Sequence, residues 1–353
     1  MSMNYFVIDG VKMKYLWMAA VIGLFISCGT SNAENILPDE EKDDGTITTK
    51  TQKISYADPT IFLDNGTYYM SGTSQISNQS SRGFTMLMSD DLLEWTTGTT
   101  DTYRFILGPE WGSTYGTTGF WAPQWYKENG MYYFLYTANE RVAIAHADAV
   151  TGIFLQDKGA IDASAGNIDP FLFKDDDGKY YLYHVRFGGG NFIWVAEFNM
   201  EMGTIDSGTL KQCLELTEPW ERMYNYDSSW IMEGPTVVKW DDVYYLFYSA
   251  NHYKDPDYAV GYATASSPIG PWTKYSGNPI IRRDIVGEKG AGHGDIFEAK
   301  DGKFYYVYHV WGEGDNPDAR QARIVPLVRE KKSDGIYKIS VDVDNIITPY
   351  QVY

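Results

Sequence analysis

The sequence contains little cysteine: its 353 residues include only Cys28 and Cys213. Cys28 ends an N-terminal apolar segment that we expect to be processed, so Cys213 would remain without a partner. A single remaining cysteine excludes a fold that depends on disulfide bonds.

Positive charge is also scarce. Lysine and arginine together number 29 against 47 aspartates and glutamates, which gives a formal net charge of -18. Nucleic acids and anionic membranes are both bound through basic surfaces. We therefore expect no nucleic-acid partner, and membrane association only through a covalent lipid. The charge suits a soluble protein that acts on a neutral or basic ligand.

Long hydrophobic runs are absent apart from one short stretch over residues 15–27. It is too short for a transmembrane helix but has the length of a signal-peptide core. It ends in Phe25-Ile-Ser-Cys28, which resembles a bacterial lipoprotein box, in which the cysteine becomes the lipidated first residue. We predict a signal peptide over 1–28 and a lipid-anchored protein of the cell envelope, on the outer-membrane or periplasmic side. The alternative is an ordinary secretory signal cleaved near Ala33, which would give a secreted protein.

The segment after this signal differs in composition from the rest of the chain. Residues 29–53 are polar and acidic and are predicted to form a flexible tether. Residues 54–353 then form one predicted β domain, which leaves no room for a second domain after it.

This β domain repeats one sequence plan five times. In the first copy, Asp58-Pro-Thr-Ile-Phe62 leads through Asn65-Gly66 to Thr67-Tyr-Tyr-Met70. An Asn-Gly or Asp-Gly pair between two strand-like runs is a strong hairpin signal. The repeat length, with more strand-like sequence between the hairpins, predicts blades of about four strands around an axis. We therefore predict an all-β chain folded as a five-bladed β-propeller.

The repeats also indicate where the functional site lies. The residue at the position just ahead of the first strand varies between the repeats and is mostly polar, although packing alone would favour similar apolar residues there. In a propeller the first strands line the central channel, so these side chains are predicted to converge at one mouth of it. They are Asp58, Trp121, Asp169, Glu233 and His293.

Three of these five residues are acids, and their chemistry points to glycoside hydrolysis. That reaction needs one carboxylic acid to protonate the leaving oxygen and one carboxylate on the other side of the sugar. An isolated glutamate, with a pKa of about 4.3, would lose its proton at neutral pH. A neighbouring carboxylate raises that pKa by repulsion between like charges. Asp58, Asp169 and Glu233 could supply all of these roles.

Four short segments, in this order, resemble glycoside hydrolase family 43: Tyr56-Ala-Asp-Pro-Thr60, Phe120-Trp-Ala-Pro123, Ile168-Asp-Pro-Phe171 and Glu233-Gly-Pro235. The resemblance extends from about residue 54 to the end of the chain. It implies a five-bladed propeller and an inverting enzyme that releases arabinose or xylose from plant hemicellulose and pectin side chains.

The resemblance also implies roles for the three acids. Asp58 matches the general base that activates water, and Glu233 matches the general acid. Asp169 matches the acid that tunes the pKa of its neighbour and orients it. Inversion implies that the carboxyl groups of Asp58 and Glu233 lie roughly 6.5–9.5 Å apart, which leaves room for the water.

Further site residues follow from the same resemblance. Trp121 and Phe120 match apolar walls of the sugar pocket, with packing between blades as the alternative. Arg320 or Arg323 matches an arginine that contacts sugar hydroxyls, and we favour Arg320. His293 matches a histidine near a channel ion, often calcium surrounded by water; the alternative is a hydrogen-bonded histidine without a metal, because calcium prefers several oxygen ligands. The chemistry itself requires no cofactor.

The expected partner is an oligosaccharide or polysaccharide that contains arabinose or xylose. The long segments 101–120 and 206–232 could close one end of the channel, which favours an exo-acting α-L-arabinofuranosidase. A β-xylosidase or an endo-acting arabinanase or xylanase of the same family remains the alternative. A function of a different class is a non-catalytic, glycan-binding propeller on the cell surface, against which the intact Asp58, Asp169 and Glu233 argue.

Overall fold

The computed structural model describes residues 50–75 and 82–353. The predicted signal peptide with Cys28, and the tether as far as residue 49, lie outside the described residues. Within the two described ranges, no helix is both long and apolar enough to cross a membrane.

The first part of the described chain contains seven strands, three of which form the first sheet. β2, β3 and β5 form an antiparallel sheet, which we call the first sheet, and β4 pairs with β7. The strand bounds are β1 Thr51–Lys53, β2 Tyr56–Asp64, β3 Thr67–Ser74, β4 Phe84–Thr85, β5 Leu87–Ser89, β6 Glu94–Trp95 and β7 Phe105–Leu107.

The second and third sheets follow in chain order. β8, β9 and β10 form the second sheet, and β11 to β15 form the third, in which β14 and β15 both pair with β13. The bounds are β8 Trp121–Glu128, β9 Met131–Ala138, β10 Arg141–Ala147, β11 Asn167–Lys174, β12 Tyr180–Phe187, β13 Asn191–Asn199, β14 Thr204–Ile205 and β15 Lys211–Gln212. A short 3₁₀ helix, Pro219–Arg222, comes next.

The fourth and fifth sheets complete the chain. β16 to β19 form the fourth sheet and β20 to β23 the fifth, while β24 pairs with β1 and with β6. The bounds are β16 Met232–Trp240, β17 Val243–Ala250, β18 Ala259–Ala265, β19 Thr273–Lys274, β20 Gly292–Glu298, β21 Phe304–Gly312, β22 Asn316–Lys331, β23 Tyr337–Val341 and β24 Tyr350–Val352. The helices here are α1, Arg283–Val286, and a 3₁₀ helix, Val343–Asn345. The predicted all-β fold class is confirmed.

Each sheet packs against the next through a hydrophobic cluster, and the fifth sheet packs against the first. The first strands β2, β8, β11, β16 and β20 also contact one another in this cyclic order. Within the described residues no sheet closes on itself, and the five-bladed propeller stays a prediction. Residues that share a cluster across successive junctions are Tyr69 with Phe134, Leu135 with Leu172, Tyr183 with Tyr248, Phe247 with Tyr306, and Val307 with Met70.

Every first strand carries a β-bulge near its start, where the register with the second strand shifts. A bulge bends the strand and turns a side chain in a new direction. One residue in each bulge adopts a left-handed backbone conformation. These residues, with their φ angles, are Asp58 at 48°, Ala122 at 46°, Asp169 at 56°, Gly234 at 58° and His293 at 41°.

The bulges correct one detail of the predicted register. We expected Trp121 and Glu233 to share one structural position with the other three residues, and this is wrong by one residue. Ala122 and Gly234 occupy the left-handed position, and Trp121 and Glu233 precede it. In these two repeats the side chain that faces the site therefore comes from the last paired residue before the bulge.

A hydrogen bond between sheets recurs at this position. The backbone N–H of the left-handed residue donates to a side chain on the second strand of the preceding sheet: Ala122 to Thr73, Asp169 to Thr137, His293 to Ser249, and Asp58 to His309. The accepting residues occupy equivalent positions: in its own hairpin, each one pairs with the residue just before the left-handed residue.

The third sheet is the exception, because its equivalent residue, Val185, has no side-chain acceptor. There, the Gly234 N–H donates instead to the carboxylate of Asp169, at 3.1 Å. A predicted catalytic acid thus completes the series of bonds between the sheets.

Candidate active site

The bulges direct a set of polar side chains into one cavity of about 310 Å³. This volume falls within the roughly 300–1,000 Å³ of typical ligand pockets. The structure brings together every predicted site residue except Phe120. The predicted residues that line the cavity are Asp58, Trp121, Asp169, Glu233, His293 and Arg320.

Three of these residues hold a strained backbone conformation. Asp58, Asp169 and His293 all have positive φ angles, which are uncommon for residues other than glycine but are enriched in Asp, Asn and His. A left-handed non-glycine residue costs of order 1–3 kcal/mol and persists where the surrounding structure enforces it. The hydrogen bonds between the sheets supply that enforcement here.

Asp58 is held as a carboxylate by the groups around it. Its Oδ2 accepts a hydrogen bond of 2.6 Å from Thr73, and its Oδ1 lies 3.3 Å from Arg320 Nη1. Burial alone would raise the pKa of Asp58, but His293, Arg320 and His309 outweigh it and hold that pKa well below its usual range. Burial lowers the pKa of both histidines, so Arg320 is the permanent positive charge at neutral pH. Asp58 is therefore ionised at neutral pH.

Glu233 has the opposite electrostatic environment. Burial, with a smaller contribution from the Asp58 charge, raises its pKa to about 7, against a partial offset from a hydrogen bond to Tyr258 and from the Arg320 charge. In that bond the Tyr258 hydroxyl donates to Glu233 Oε1 at 2.7 Å. The same cavity thus contains one carboxyl group that is ionised and one that retains a proton close to neutral pH.

Asp169 interacts electrostatically with both of these acids. Its Oδ2 accepts the Gly234 N–H and lies 3.8 Å from His293 Nδ1. Burial, together with the charges of Glu233 and Asp58, raises the pKa of Asp169. Because its carboxylate accepts a hydrogen bond from the N–H of Gly234, the residue that follows Glu233, Asp169 fixes the strand that carries Glu233.

His293 contacts carboxylates, and its surroundings do not form a directly ligated calcium site. Its Nδ1 lies 3.4 Å from Asp58 Oδ1. Nearby Asp295 has one oxygen hydrogen-bonded by Thr60 and the other by Thr236. Across residues 50–75 and 82–353, no group of three or more His, Cys, Asp or Glu side chains has the arrangement of a metal site. Calcium prefers six to eight oxygen ligands, so these side chains alone do not fit a directly ligated ion, and a water-surrounded calcium near His293 stays a prediction.

The walls of the cavity combine aromatic and cationic groups. Trp121 is partly buried and lines the cavity. Arg320 lies over the ring of Tyr253, with its guanidinium carbon 4.3 Å from the ring centroid, while Arg323 instead pairs with Glu288. The choice of Arg320 over Arg323 as the residue that reaches the site therefore agrees with the geometry.

The prediction that Phe120 forms a wall of the pocket is wrong. Phe120 is 0% exposed and packs in the core against Phe84 and Tyr136. Successive side chains in an extended chain point to opposite sides, so Phe120 and Trp121 cannot both face the cavity. Phe120 instead anchors the start of the strand that presents Trp121.

Sequence reasoning missed three residues that contact the acids: Thr73, His309 and Tyr258. Thr73 and His309 occupy the repeated position on the second strand that bonds to the neighbouring sheet. Polar residues recur there among apolar neighbours, and alignment of the second strands would have found them. Tyr258 lies just before β18, where no repeated pattern marks it.

Replacing Tyr258 with phenylalanine is expected to move the alkaline limb of the kcat/KM profile to higher pH. The Tyr258 hydroxyl stabilises the ionised form of Glu233, so its loss raises the pKa of Glu233 above about 7. A hydrogen bond to a charged group contributes about 1.5–3 kcal/mol, and one pH unit corresponds to about 1.4 kcal/mol, so we expect a shift of about one to two units. Tyr305→Phe, which removes a hydroxyl bonded to Asp301, is the control. An unchanged alkaline limb in Tyr258→Phe would refute this role.

Comparison with known proteins is consistent with this site. Residues 50–335 match the family described as glycosyl hydrolases family 43. A β-D-galactofuranosidase, xynD, of Aspergillus niger is 28% identical over 312 residues, which cover 82% of this chain and 84% of that protein. A β-xylosidase of Xylanibacter ruminicola is 28% identical over 216 residues, covering 54% of this chain and 64% of that protein. The crystal structure of an endo-1,4-β-xylanase from Bacteroides thetaiotaomicron superposes with a TM-score of 0.77 at 35% identity, covering 87% of this chain and all of that one.

Proposed function

Because the chain belongs to glycosyl hydrolases family 43 and is therefore a glycosidase that hydrolyses O-glycosyl bonds, we propose that it is an inverting enzyme. Its proposed substrates are polysaccharides or oligosaccharides that contain arabinose or xylose. The observation that supports this most strongly is the opposite protonation of two acids in one cavity. Asp58 is held ionised, whereas burial raises the pKa of Glu233 to about 7.

In the proposed reaction the two acids act on opposite sides of the sugar. The Glu233 carboxylic acid donates its proton to the glycosidic oxygen as the bond from that oxygen to the anomeric carbon breaks. A water molecule attacks the anomeric carbon from the other side, and Asp58 accepts the proton that this water loses. The anomeric configuration is inverted, and bulk water returns the enzyme to its starting protonation.

The neighbouring residues keep the two acids in these states. Arg320 and the Thr73 hydroxyl stabilise the negative charge on Asp58 before the reaction. Asp169 holds the Gly234 backbone and so positions Glu233. We expect the Asp58 and Glu233 carboxyl groups to be roughly 6.5–9.5 Å apart, as inversion requires.

The proposed architecture around this site is a five-bladed β-propeller. It is supported by the cyclic order of the first strands and by the hydrophobic cluster at each junction, including the one between the fifth and first sheets. The bond from the Asp58 N–H to His309 joins the same two sheets.

For the sugar itself we propose α-L-arabinofuranose, released from chain ends. Of the two segments expected to enclose the pocket, 206–232 supplies Ile231 to the cavity wall, whereas 101–120 supplies no lining residue. The relative named as a β-D-galactofuranosidase supports a furanose sugar. The second candidate is xylose, which the relatives named as a β-xylosidase and an endo-1,4-β-xylanase support.

The test of this function is hydrolysis of nitrophenyl α-L-arabinofuranoside and nitrophenyl β-D-xyloside, measured side by side, followed by pentose polysaccharides. Turnover of one aryl glycoside identifies the sugar. Turnover of the polysaccharides alone indicates an endo-acting enzyme. If none of these substrates is cleaved, the proposed function is wrong and a non-catalytic glycan-binding role takes its place.

For the location of the enzyme we propose a lipid anchor on Cys28. Replacing Cys28 with alanine is then expected to move the protein from the membrane fraction to the soluble fraction of cells that express the full chain. Two or more acyl chains anchor a protein stably, whereas a single chain binds only marginally, so the expected change is nearly complete. Cys213→Ala is the matched control and should stay with the membranes. A Cys28→Ala protein that remains in the membrane fraction would rule out this anchor.

A further inference from the structure

A second cavity, which we call the groove, opens beside the candidate active site. It has a volume of about 570 Å³ and lies between residues 189–191 and 228–231. Asn191, Ile231 and His252 line both the groove and the active-site cavity. The two cavities are therefore neighbours that share one wall.

The groove carries an exposed tryptophan that the surrounding backbone holds in place. Trp230 is 51% exposed, and its carbonyl oxygen accepts the Asn191 N–H at 2.8 Å. Gly190 has a φ of 147°, and a Cβ at this position would lie 2.8 Å from the Trp230 oxygen and 3.0 Å from its Cβ. Only glycine permits this close approach, so the chain is arranged to bring Trp230 against the loop over 188–190. Ligand pockets are lined largely by hydrophobic and aromatic side chains, so Trp230 makes the groove a candidate binding surface.

The wall shared by the two cavities also carries a hydrogen-bond donor. His252 Nδ1 accepts the Lys254 N–H at 3.0 Å, and burial lowers the pKa of His252. The neutral ring therefore has its proton on Nε2, where it can be donated. Tyr226 stacks on one side of this ring, with centroids 4.6 Å apart, and Tyr253 also stacks against it, at 4.7 Å. The ring orientation is thus fixed by its neighbours.

The position of the groove in the reaction follows from the general acid. Ile231 comes two residues before Glu233, so the groove begins beside the group that protonates the leaving oxygen. The part of the substrate that departs with that oxygen must lie on the side of Glu233. Neither acid lines the groove itself. Residues 228–231 of the groove lead directly into β16, which carries Glu233, whereas Asp58 lies on β2 of the first sheet.

We propose that the groove binds the leaving-group side of the glycan, that is, the one or two sugar units to which the released sugar was attached. The proposal rests on the proposed function, because it uses Glu233 as the acid. Trp230 would pack against the apolar C–H face of a sugar ring, and His252 would donate to a hydroxyl. A surface of this kind favours an oligosaccharide or polysaccharide over a substrate with a small leaving group.

The test compares Trp230→Ala with the wild-type enzyme on two substrates of the same pentose. One is a glycosyl fluoride, whose leaving group is a single atom that cannot reach the groove, and the other is an oligosaccharide of at least three units. We expect kcat/KM on the oligosaccharide to fall about 10-fold, the loss that corresponds to about 1.4 kcal/mol of binding. The value on the glycosyl fluoride should stay unchanged, and Trp230→Phe should recover part of the loss.

The matched control is Tyr224→Ala, which removes an aromatic ring of 38% exposure from the same segment but outside the groove. It should leave both substrates unaffected. Equal losses on both substrates in Trp230→Ala, or no loss on either, would overturn the groove assignment while leaving the proposed function intact. Failure of the wild-type enzyme to cleave either substrate would instead contradict the proposed function, and the groove assignment would fall with it.

Discussion

Glu233→Ala is expected to lower kcat/KM on natural pentosides by about 10²–10⁴-fold, the usual contribution of a positioned proton donor. The loss should be far smaller on a dinitrophenyl glycoside, because that leaving group departs without protonation. This contrast depends on the proton that burial and the Asp58 charge keep on Glu233 up to a pH of about 7. The measurement is kcat/KM for the variant and the wild type on both substrates.

The control for this variant is Glu201→Ala, which removes an exposed glutamate from the turn after β13. It should behave as the wild type on both substrates. Equal losses on the two substrates in Glu233→Ala would show that Glu233 is not the acid.

Asp58→Asn is expected to reduce kcat/KM by about 10³–10⁴-fold, toward the upper end of the range for general base catalysis. Unlike the loss in Glu233→Ala, this reduction should be similar on natural and dinitrophenyl glycosides, because water must be activated whichever group leaves. Asparagine retains the size of the side chain and an oxygen that can accept the bond from Thr73. The thermal unfolding midpoint, measured in parallel, separates a lost base from a damaged fold.

The matched comparison is Asp295→Asn, which changes another, partly buried acid that is bonded to Thr60 and Thr236. It is not a lining residue of the active-site cavity and should retain most of the activity. If Asp58→Asn kept more than a tenth of the wild-type kcat/KM on both substrates, Asp58 would not be the base.

The five hairpins could be predicted because the turn chemistry is local. Asn65 and Gly66 have φ angles of 50° and 83°, and Asn129 and Gly130 have 51° and 82°, which are the left-handed conformations that a type I′ turn requires. The apolar runs on either side of these turns then pair as the sequence indicates, for example in β2 with β3 and β8 with β9.

The register within the repeats was harder to predict, because the residue that faces the site does not stand at the same distance from the proline in every repeat. Pro59, Pro123, Pro170 and Pro235 each follow the left-handed residue. Side chains along a regular strand alternate between the two faces of the sheet. A bulge adds an unpaired residue that breaks this alternation, so the direction of the side chains next to it cannot be predicted from the alternation alone. Glu233 therefore reaches the same cavity as Asp58 from a different backbone position.

Other parts of the site depend on contacts between distant segments. Tyr258 meets Glu233 across 25 positions of the chain, and His309 meets Asp58 across 251 positions. No local sequence pattern indicates contacts between such distant residues. The groove beside Trp230 likewise depends on the approach of that residue to Gly190, which is seen only in three dimensions.

The measurement that tests the central claim most directly is the anomeric configuration of the first product, followed by proton NMR during hydrolysis. The claim is that Asp58 activates a water molecule while Glu233 protonates the leaving oxygen on the other side of the sugar. The result expected is a product whose anomeric configuration is opposite to that of the substrate, with the other anomer appearing only later by mutarotation. A product that first appears with the configuration of the substrate would contradict the claim, because it would require an acid to attack the sugar directly.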